Sequence, residues 1–320
     1  MAPITPFHRN HQRILGEDVP SCRVFLDSEV YSMDFHKVVK DVTGLISLPD
    51  IYFKVSRLLE DPSCTSEKLA KIISYDPGLT VRLLKIANSA YYRQEQQVET
   101  VVRAVTLIGH GNLLNLVLAA SIGKALNKIA LAINMEAFWQ HSICCALAAR
   151  ALAIHVRPEH RERIFIAGLL HDMGILLINY QLPDIARQIQ SQLIMQGCER
   201  YLLEEEQLGF THADIGADLL REWQLSASLC EAVEYHHAPF KALQYPIDAA
   251  CVHIGNVLVN SMDLQAQTID YVQAKNKVYT PAWSICGQHE EVIESVSIEV
   301  FSQWSEILRQ FAQSLNRPSR

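Results

Sequence analysis

The chain of 320 residues is 49% hydrophobic, so it can bury a sizeable core, and global disorder is excluded. Its 28 basic and 35 acidic residues give a formal net charge of −7, which argues against a nucleic acid as the main partner. Eight cysteines without a CxxC pair and an N-terminus without an apolar segment favour a cytoplasmic protein with free thiols. The most apolar stretch, residues 113–133, is interrupted by asparagines and lysines, which favours soluble helices over a membrane span.

Residues 1–36 mix proline, histidine and charge without a helical period, and we treat them as an N-terminal extension. Apolar residues then recur at helical spacing, with breaks at proline, asparagine and glycine. Thr65 or Ser66 is predicted to cap one helix, and Asp76 followed by Pro77 is typical of another helix start. Gly109 and Gly111 predict a tight connection between two helices. The predicted helices of this half cover residues 36–48, 51–60, 66–75, 77–88, 98–108 and 113–118.

The second half begins with an apolar helix after Asn134, which leads to the sequence GLLHDMGILLI at residues 168–178. Thr211, with Asp214 three residues later, indicates a capping box and therefore a helix start just before His212. The acidic run 204–206 is predicted to be a solvated helix face. No strand-like alternation of useful length is present, so the chain is predicted to be all-α, with later helices at 184–195, 201–207, 211–224, 226–236, 248–262 and, as a final pair, 288–316.

A histidine and an aspartate stand side by side in GLLHDMGILLI, which we predict to be one continuous apolar helix. His171 lies on the inward stripe that runs from Ile164 to Ile178, and Asp172 flanks that stripe. An unpaired buried carboxylate costs on the order of several kcal/mol, so Asp172 needs a partner. A metal ion, a histidine or backbone N–H groups would each satisfy it, and an isolated His-Asp pair can also satisfy itself.

Four further histidines lie at positions that suit ligands. His141 faces the interior of the helix that follows Asn134. His212 lies in a first helical turn, where the helix dipole favours a neutral ring, whereas His236 and His237 lie at a helix end, where the dipole favours a protonated ring. Taken alone, each of these residues has an ordinary structural explanation.

The order His141, His171-Asp172, His212, His236-His237 resembles the metal-binding order of the HD superfamily of metal-dependent phosphohydrolases. The N-terminal half narrows the resemblance to the HDOD family, the HD-related output domain of bacterial signalling proteins. The resemblance covers roughly residues 37–262, and its motifs are Asp76-Pro77, Leu83-Leu84, Asn88-Ser89-Ala90, Gly109, His171-Asp172, His212 with Gly216, and His236-His237-Ala238-Pro239.

The resemblance implies an N-terminal helical bundle followed by a degenerate HD-like bundle. On this basis we divide the chain into an extension (1–36), an N-terminal helical part (37–133), an HD-like part (134–265) and a C-terminal helical tail (266–320). It also implies metal ligands, with imidazole and carboxylate groups that hold a divalent ion, at His141, His171, Asp172, His212, His236 and His237.

Several positions depart from the pattern of an active hydrolase. Asn256, a neutral and weaker ligand, replaces the aspartate that completes the first metal site. Ile175 replaces the lysine of the cyclic-dinucleotide phosphodiesterase branch, while Ala137 replaces its glutamate and Ala238-Pro239-Phe240 its GYP triplet. The incomplete set predicts either a single divalent ion, iron, manganese or zinc, or no metal.

These departures favour a non-enzymatic bacterial signal-transduction module that acts through protein partners and binds neither nucleic acid nor a membrane. Two alternatives stay open. The first is a metal-dependent phosphohydrolase that acts on a nucleotide or cyclic dinucleotide. The second is a sensor that holds a nucleotide ligand, without cleaving it, in the pocket that corresponds to the catalytic pocket of HD hydrolases.

Overall fold

The computed structural model of the protein describes residues 35–43, 50–88, 92, 97–126 and 133–315, and of residues 42–43, 77–78, 119–126 and 306–315 it describes the backbone alone. These residues form α-helices, two short 3₁₀ turns and one very short antiparallel strand pair, so the predicted all-α class is confirmed. Residues 1–34 of the predicted extension, and the predicted end of the first helix at residue 48, lie outside the described residues.

Most helices of the N-terminal half are short, and several begin at a side-chain cap. The Thr65 side chain accepts a hydrogen bond from the Lys68 N–H, and the Asp76 side chain accepts one from the Leu79 N–H, so both predicted caps are confirmed. The helices of this half are α1 (Phe35–Thr43), α2 (Asp50–Leu59), α3 (Ser66–Ile73), α4 (Pro77–Ala87), α5 (Val101–Ile108) and α6 (His110–Leu126).

The connection between α5 and α6 is tighter than predicted. The Thr100 side chain accepts a hydrogen bond from the Arg103 N–H, so α5 begins at Val101 and not at residue 98. Gly109 has a φ of 80°, whereas Gly111 already lies within α6, and the two helices are bent by 109° at this point. Because glycine adopts positive φ at little cost, one glycine is enough for the turn.

The second half is built around one long buried helix, α7 (Met135–Val156), which begins at the Asn134 cap. Three helices pack directly on α7, namely α8 (Arg161–Leu170), α14 (Pro246–Asn260) and α17 (Val292–Leu315). The predicted capping box of Thr211 and Asp214 is confirmed. The other helices of this half are α9 (Met173–Gln181), α10 (Pro183–Gln196), α11 (Arg200–Leu208), α12 (His212–Glu222) and α13 (Ala227–Glu234).

Helix α1 packs on the second half of the chain, although it comes first in the sequence. It lies against α9 and α12, where the Phe35 ring centroid is 5.7 Å from that of Phe210. The Nδ1 atom of His36 lies 2.9 Å from a carboxylate oxygen of Asp218. The start of the described chain therefore contacts the helix that carries His212.

The segment after α14 is more divided than the predicted final pair of helices. It contains the strands β1 (Met262–Asp263) and β2 (Thr268–Ile269), paired antiparallel with Met262 opposite Ile269, and then α15 (Tyr271–Lys277) and α16 (Thr280–Cys286) before α17. Two-residue strands are too short to produce a recognisable alternation in the sequence. The Cys286 sulfur lies 3.7 Å from that of Cys251, and the cysteines of the described residues are free thiols, as predicted.

Among the described residues, two helical stretches have the length and apolar composition of membrane spans. They are α7 and residues Pro158–Gln181, which include α8 and α9, and 67% of the apolar window of each is buried inside the protein. Helix α5 and the first part of α6 reach this length and apolar composition only when taken together, and they form a sharply bent pair. Much of the apolar surface of these helices therefore packs against neighbouring helices of the chain.

Candidate metal centre

The His-Asp pair lies in a break between two helices, so the prediction of one continuous helix is wrong. Helix α8 ends at Leu170 and α9 begins at Met173, and the Ile175 N–H donates to the Asp172 carbonyl oxygen at 2.9 Å to restart the helix. Neighbouring side chains on a straight helix point about 100° apart. In this turn the His171 Nε2 atom instead lies 3.3 Å from the Asp172 Oδ1 atom, so both side chains reach one pocket.

Asp172 is the centre of a cluster of imidazoles. Its Oδ1 atom lies 3.3 Å from Nε2 of His212 and 3.9 Å from Nε2 of His236, and its Oδ2 atom lies 3.4 Å from Nε2 of His141. The Nε2 atoms of His141 and His171 are 3.3 Å apart. Ligand atoms about 2.1 Å from one ion lie about 3.0 Å apart at octahedral angles and about 3.4 Å apart at tetrahedral angles. The closer separations therefore suit ligands of a shared divalent ion.

His237 extends the cluster on its other side. Its Nε2 atom lies 2.9 Å from that of His212, and its ring centroid lies 3.9 Å from that of His236. The ligand atoms fall into two groups, each with all atoms within 4.8 Å of one another, namely His141–His171–Asp172 and His212–His236–His237. The structure thus brings together all six residues that the sequence singled out, from α7, the α8–α9 turn, the start of α12 and the turn after α13.

Hydrogen bonds fix the orientation of two of these rings. The Nδ1 atom of His171 donates to the Gly168 carbonyl oxygen at 2.8 Å, and that of His236 donates to the Val233 carbonyl oxygen at 2.6 Å. Because a carbonyl oxygen only accepts, each Nδ1 carries a hydrogen, and Nε2 is the ring atom left to face the pocket. The His236 ring is neutral, whereas Asp172 outweighs burial and holds the pKa of His171 well above its ordinary value, so Nε2 of His171 must release a proton before it can ligate. The Nε2 atom of His236 is buried and has no hydrogen-bond partner in the part of the chain that the structure describes, which is costly unless something binds it. A metal ion would satisfy that atom, so the residues present fit a metal.

Glu204 is buried against His212, so the predicted solvated face is wrong for this member of the acidic run. Its Oε2 atom accepts hydrogen bonds from Nδ1 of His212 at 2.5 Å and from the His212 backbone N–H at 2.7 Å. Glu205 and Glu206 are exposed, as predicted. No motif spacing connects Glu204 with His212, because α11 and α12 are separate helices joined by a turn at Gly209.

His253 of α14 contacts the backbone of His236, one of the clustered histidines. Its Nε2 atom accepts a hydrogen bond from the Tyr279 backbone N–H at 3.1 Å, so Nδ1 carries the proton and donates to the His236 carbonyl oxygen at 2.8 Å. Burial lowers the pKa of His253 to about 4, so its ring is neutral at ordinary pH. The ring ties α16 to the turn that carries His236, a role that no sequence motif indicates.

The protonation of the rings differs from that expected from helix dipoles. Burial lowers the pKa of His141 to about 4 and holds the pKa values of His236 and His237 well below the ordinary value, so these rings are neutral. Burial acts in the same direction on His212, but the facing carboxylates, Glu204 first, outweigh it and raise its pKa to about 9. The neutral His212 and the protonated His236 and His237 expected from the sequence are therefore wrong, because desolvation and adjacent charges exceed the dipole effect.

Asn256 lies on α14 beside His141, and its side chain is buried. Its Oδ1 atom accepts a hydrogen bond from Nδ2 of Asn260 one helical turn later, at 2.9 Å. An amide is neutral, and this amide oxygen already has a partner within its own helix. The position therefore adds no negative charge to the cluster.

The fold and the His-Asp cluster define an HD-like helical protein. The chain belongs to the HDOD family, whose domain model matches residues 45–239, so the family predicted from the sequence motifs is confirmed. A protein of Treponema pallidum (strain Nichols), described only as uncharacterized, is 23% identical over 224 residues. The match covers 69% of this chain and 43% of that protein, so the chain spans less than half the length of this curated relative.

Solved structures share the fold at low sequence identity. An HDOD domain protein of unknown function from Geobacter sulfurreducens gives a TM-score of 0.67 at 21% identity, over 85% of this chain and 97% of that chain. A provisionally named phosphohydrolase from Shewanella amazonensis SB2B gives 0.65 at 24% identity, over 83% and 97%. A provisionally named signal transduction protein from Marinobacter aquaeolei VT8 gives 0.65 at 20% identity, over 88% and 66%. At these identities the comparisons show the fold.

Proposed function

We propose that this chain is a signal-transduction module that holds one divalent ion, iron, manganese or zinc, in its HD-like pocket and does not hydrolyse phosphoesters. It acts through contacts with other proteins of a bacterial signalling pathway in the cytoplasm. Membership of the HDOD family supports the signalling role, as does the provisional name of the Marinobacter aquaeolei structure.

The observation that carries the proposal is the neutral amide at Asn256. Within the described residues the cluster offers five imidazoles but a single ligand carboxylate, Asp172. Imidazoles retain a divalent ion well, but they add no negative charge to offset it. A hydrolase must also activate water and stabilise a transition state at the ion, which places stricter demands on ligand charge and geometry. The set is therefore better suited to retention of an ion than to turnover.

The ligands would connect four parts of the second half. His171, His212 and His236 present Nε2 from oriented rings, Asp172 supplies the charge, and His141 and His237 close the two sides. A bound divalent ion would supply Lewis acidity at this point. Since the ligands come from α7, the α8–α9 turn, α12 and the turn after α13, binding would stabilise their relative positions, and a partner protein can detect that change.

Two other functions give distinguishable results. The convergence of six ligands, and the provisional name of the Shewanella amazonensis structure, favour a metal-dependent phosphohydrolase. A sensor would bind a nucleotide in the pocket and release it unchanged.

A turnover assay separates the three functions. The purified chain, loaded with Mn²⁺, Fe²⁺ or Zn²⁺, is incubated with nucleotides and cyclic dinucleotides, and phosphate and linear products are measured. We expect no more product than from the Asp172→Ala variant. Turnover that Asp172→Ala abolishes would establish the phosphohydrolase, provided that the control variant His155→Ala, at an exposed histidine on the helix of His141, retains it. Calorimetric binding of a nucleotide without product would establish the sensor.

A further inference from the structure

Glu204 is a fully buried carboxylate that contacts a predicted ligand from the side opposite its ligating atom. One oxygen, Oε2, accepts two hydrogen bonds from the same residue, from Nδ1 and from the backbone N–H of His212. The ring of His212 is thereby fixed with Nε2 directed at Asp172, 3.3 Å away. Glu204 is therefore placed to act on a bound ion through the imidazole.

A second residue of α11 contacts the neighbouring ligand. The Tyr201 ring, one helical turn before Glu204, stacks on His237 with centroids 4.2 Å apart and planes at 19°. The Arg200 Nη1 atom lies 3.8 Å from the other Glu204 oxygen and offsets part of its buried charge. Helix α11 thus supports both His212 and His237 without contributing a ligand of its own.

The negative charge of Glu204 offsets the absence of a carboxylate at position 256, where the chain has Asn256. A carboxylate that accepts the Nδ1 proton of a ligating imidazole raises the basicity of that imidazole and fixes its orientation. The ligand set has one carboxylate, Asp172, and a neutral amide at Asn256 where an acidic ligand would add a second. We propose that Glu204 is a positioning residue that supplies, through His212, the negative charge that the metal site lacks at Asn256. This inference rests on the proposed binding of a metal ion.

The Glu204→Gln variant tests the charge with little change of shape. The amide oxygen can still accept both hydrogen bonds from His212, and the amide nitrogen then takes the place of the oxygen near Arg200. We expect Mn²⁺ and Co²⁺ to bind about 10- to 100-fold more weakly, measured by competition with a chelator. At saturating Co²⁺ the visible absorption bands are expected to shift. The exposed neighbour provides the control Glu205→Gln, which is expected to leave affinity and spectrum unchanged.

A double-mutant cycle with Asn256→Asp tests whether a carboxylate at position 256 can take over the role of the Glu204 carboxylate. We expect Asn256→Asp to strengthen Co²⁺ binding more in the Glu204→Gln background than in the wild-type chain, because the wild-type chain already has the Glu204 carboxylate behind His212. Equal affinity and an equal spectrum in Glu204→Gln and the wild-type chain, in variants shown to be folded by circular dichroism, would overturn the inference while metal binding itself stands. A wild-type chain that binds neither ion would overturn both.

Discussion

Gly174 lies directly against the backbone of His212, so closely that a Cβ atom at position 174 would be 1.9 Å from the His212 carbonyl oxygen. This contact places the start of α9 on the start of α12. It sets the distance between the turn that carries His171 and Asp172 and the helix that carries the next ligand. The absence of a side chain at position 174 is therefore a requirement of the metal centre as well as of the fold.

We expect Gly174→Ala to lower the free energy of unfolding by about 1–3 kcal/mol or more, because backbone atoms must move to admit the methyl group. We also expect weaker metal binding, since His212 moves away from Asp172. Thermal and urea unfolding measure the first effect, and chelator competition measures the second. In the matched control Gly111→Ala, on α6, the added Cβ meets nothing within 4 Å, so stability should hold or rise by up to about 1 kcal/mol. A Gly174→Ala variant as stable as the wild-type chain would contradict the contact.

The stability contributed by His253 is expected to depend on pH. Its pKa is about 4 in the fold, below its ordinary value of 6.5, so between these values the unfolded chain takes up a proton that the folded chain excludes. The contribution is therefore complete above about pH 6.5 and is lost as the pH falls towards 4, by about 3 kcal/mol in all.

The variant His253→Ala measures this effect with metal removed. We expect it to be less stable than the wild-type chain by about 1–3 kcal/mol at pH 7.5, since the His236 carbonyl and the Tyr279 N–H lose their partner. The difference should shrink as the pH is lowered to 4.5. His155→Ala, at an exposed position, should follow the wild-type curve. A difference between His253→Ala and the wild-type chain that does not change with pH would show that the ring is not kept neutral by burial.

Metal affinity is expected to rise with pH. Without metal the pKa of His212 is about 9, and Asp172 outweighs burial and holds the pKa of His171 well above its ordinary value, so each of these rings must release a proton before its Nε2 can ligate. Below pH 9 the affinity for Mn²⁺ should therefore fall by about tenfold for each pH unit per proton released. Calorimetric titrations from pH 6.5 to 8.5, in two buffers of different ionisation enthalpy, measure both the affinity and the proton release. An affinity that is constant over this range would contradict a protonated His212.

The Thr211 cap holds the start of α12 and with it the ring of His212. Thr211 accepts a hydrogen bond from the Asp214 N–H, and we expect Thr211→Ala to destabilise the protein by about 1 kcal/mol. Ser226 occupies the corresponding position before α13 without a capping hydrogen bond, so Ser226→Ala should cost less. Chemical denaturation of both variants provides the comparison. Equal losses in the free energy of unfolding of the two variants would indicate that the capping hydrogen bond of Thr211 contributes no stability.

The sequence predicted those parts of the protein that local chemistry determines. Thr65, Asp76 and Thr211 cap helices because a side-chain oxygen can reach an N–H two or three residues later, and that geometry is independent of the rest of the fold. The six ligands were identified because their order along the chain follows a known pattern, and the structure places them together. Whether they hold an ion stays a prediction.

The sequence could not predict features that depend on contacts between distant segments. The helix break at His171 and Asp172 falls in an apolar run of the sequence that shows no break. Just after it, Gly174 packs against the backbone of His212, which lies about forty residues away along the chain. The acidic run 204–206 predicts a solvated face for Glu204, because nothing in the local sequence indicates that its partner, His212, belongs to the next helix. The predicted neutral ring of His212 is wrong for the same reason, because the sequence does not show that the Glu204 carboxylate, which raises the pKa of His212, lies beside it.

The most direct test of this account is an anomalous diffraction measurement on crystals of the full chain grown with Mn²⁺ or Zn²⁺. We predict one strong peak at the absorption edge of the ion, bounded by Asp172 and by Nε2 of His171 and His212, and its loss in the Asp172→Ala variant. No peak at this cluster in crystals that contain the ion, or a peak that survives in Asp172→Ala, would contradict the account.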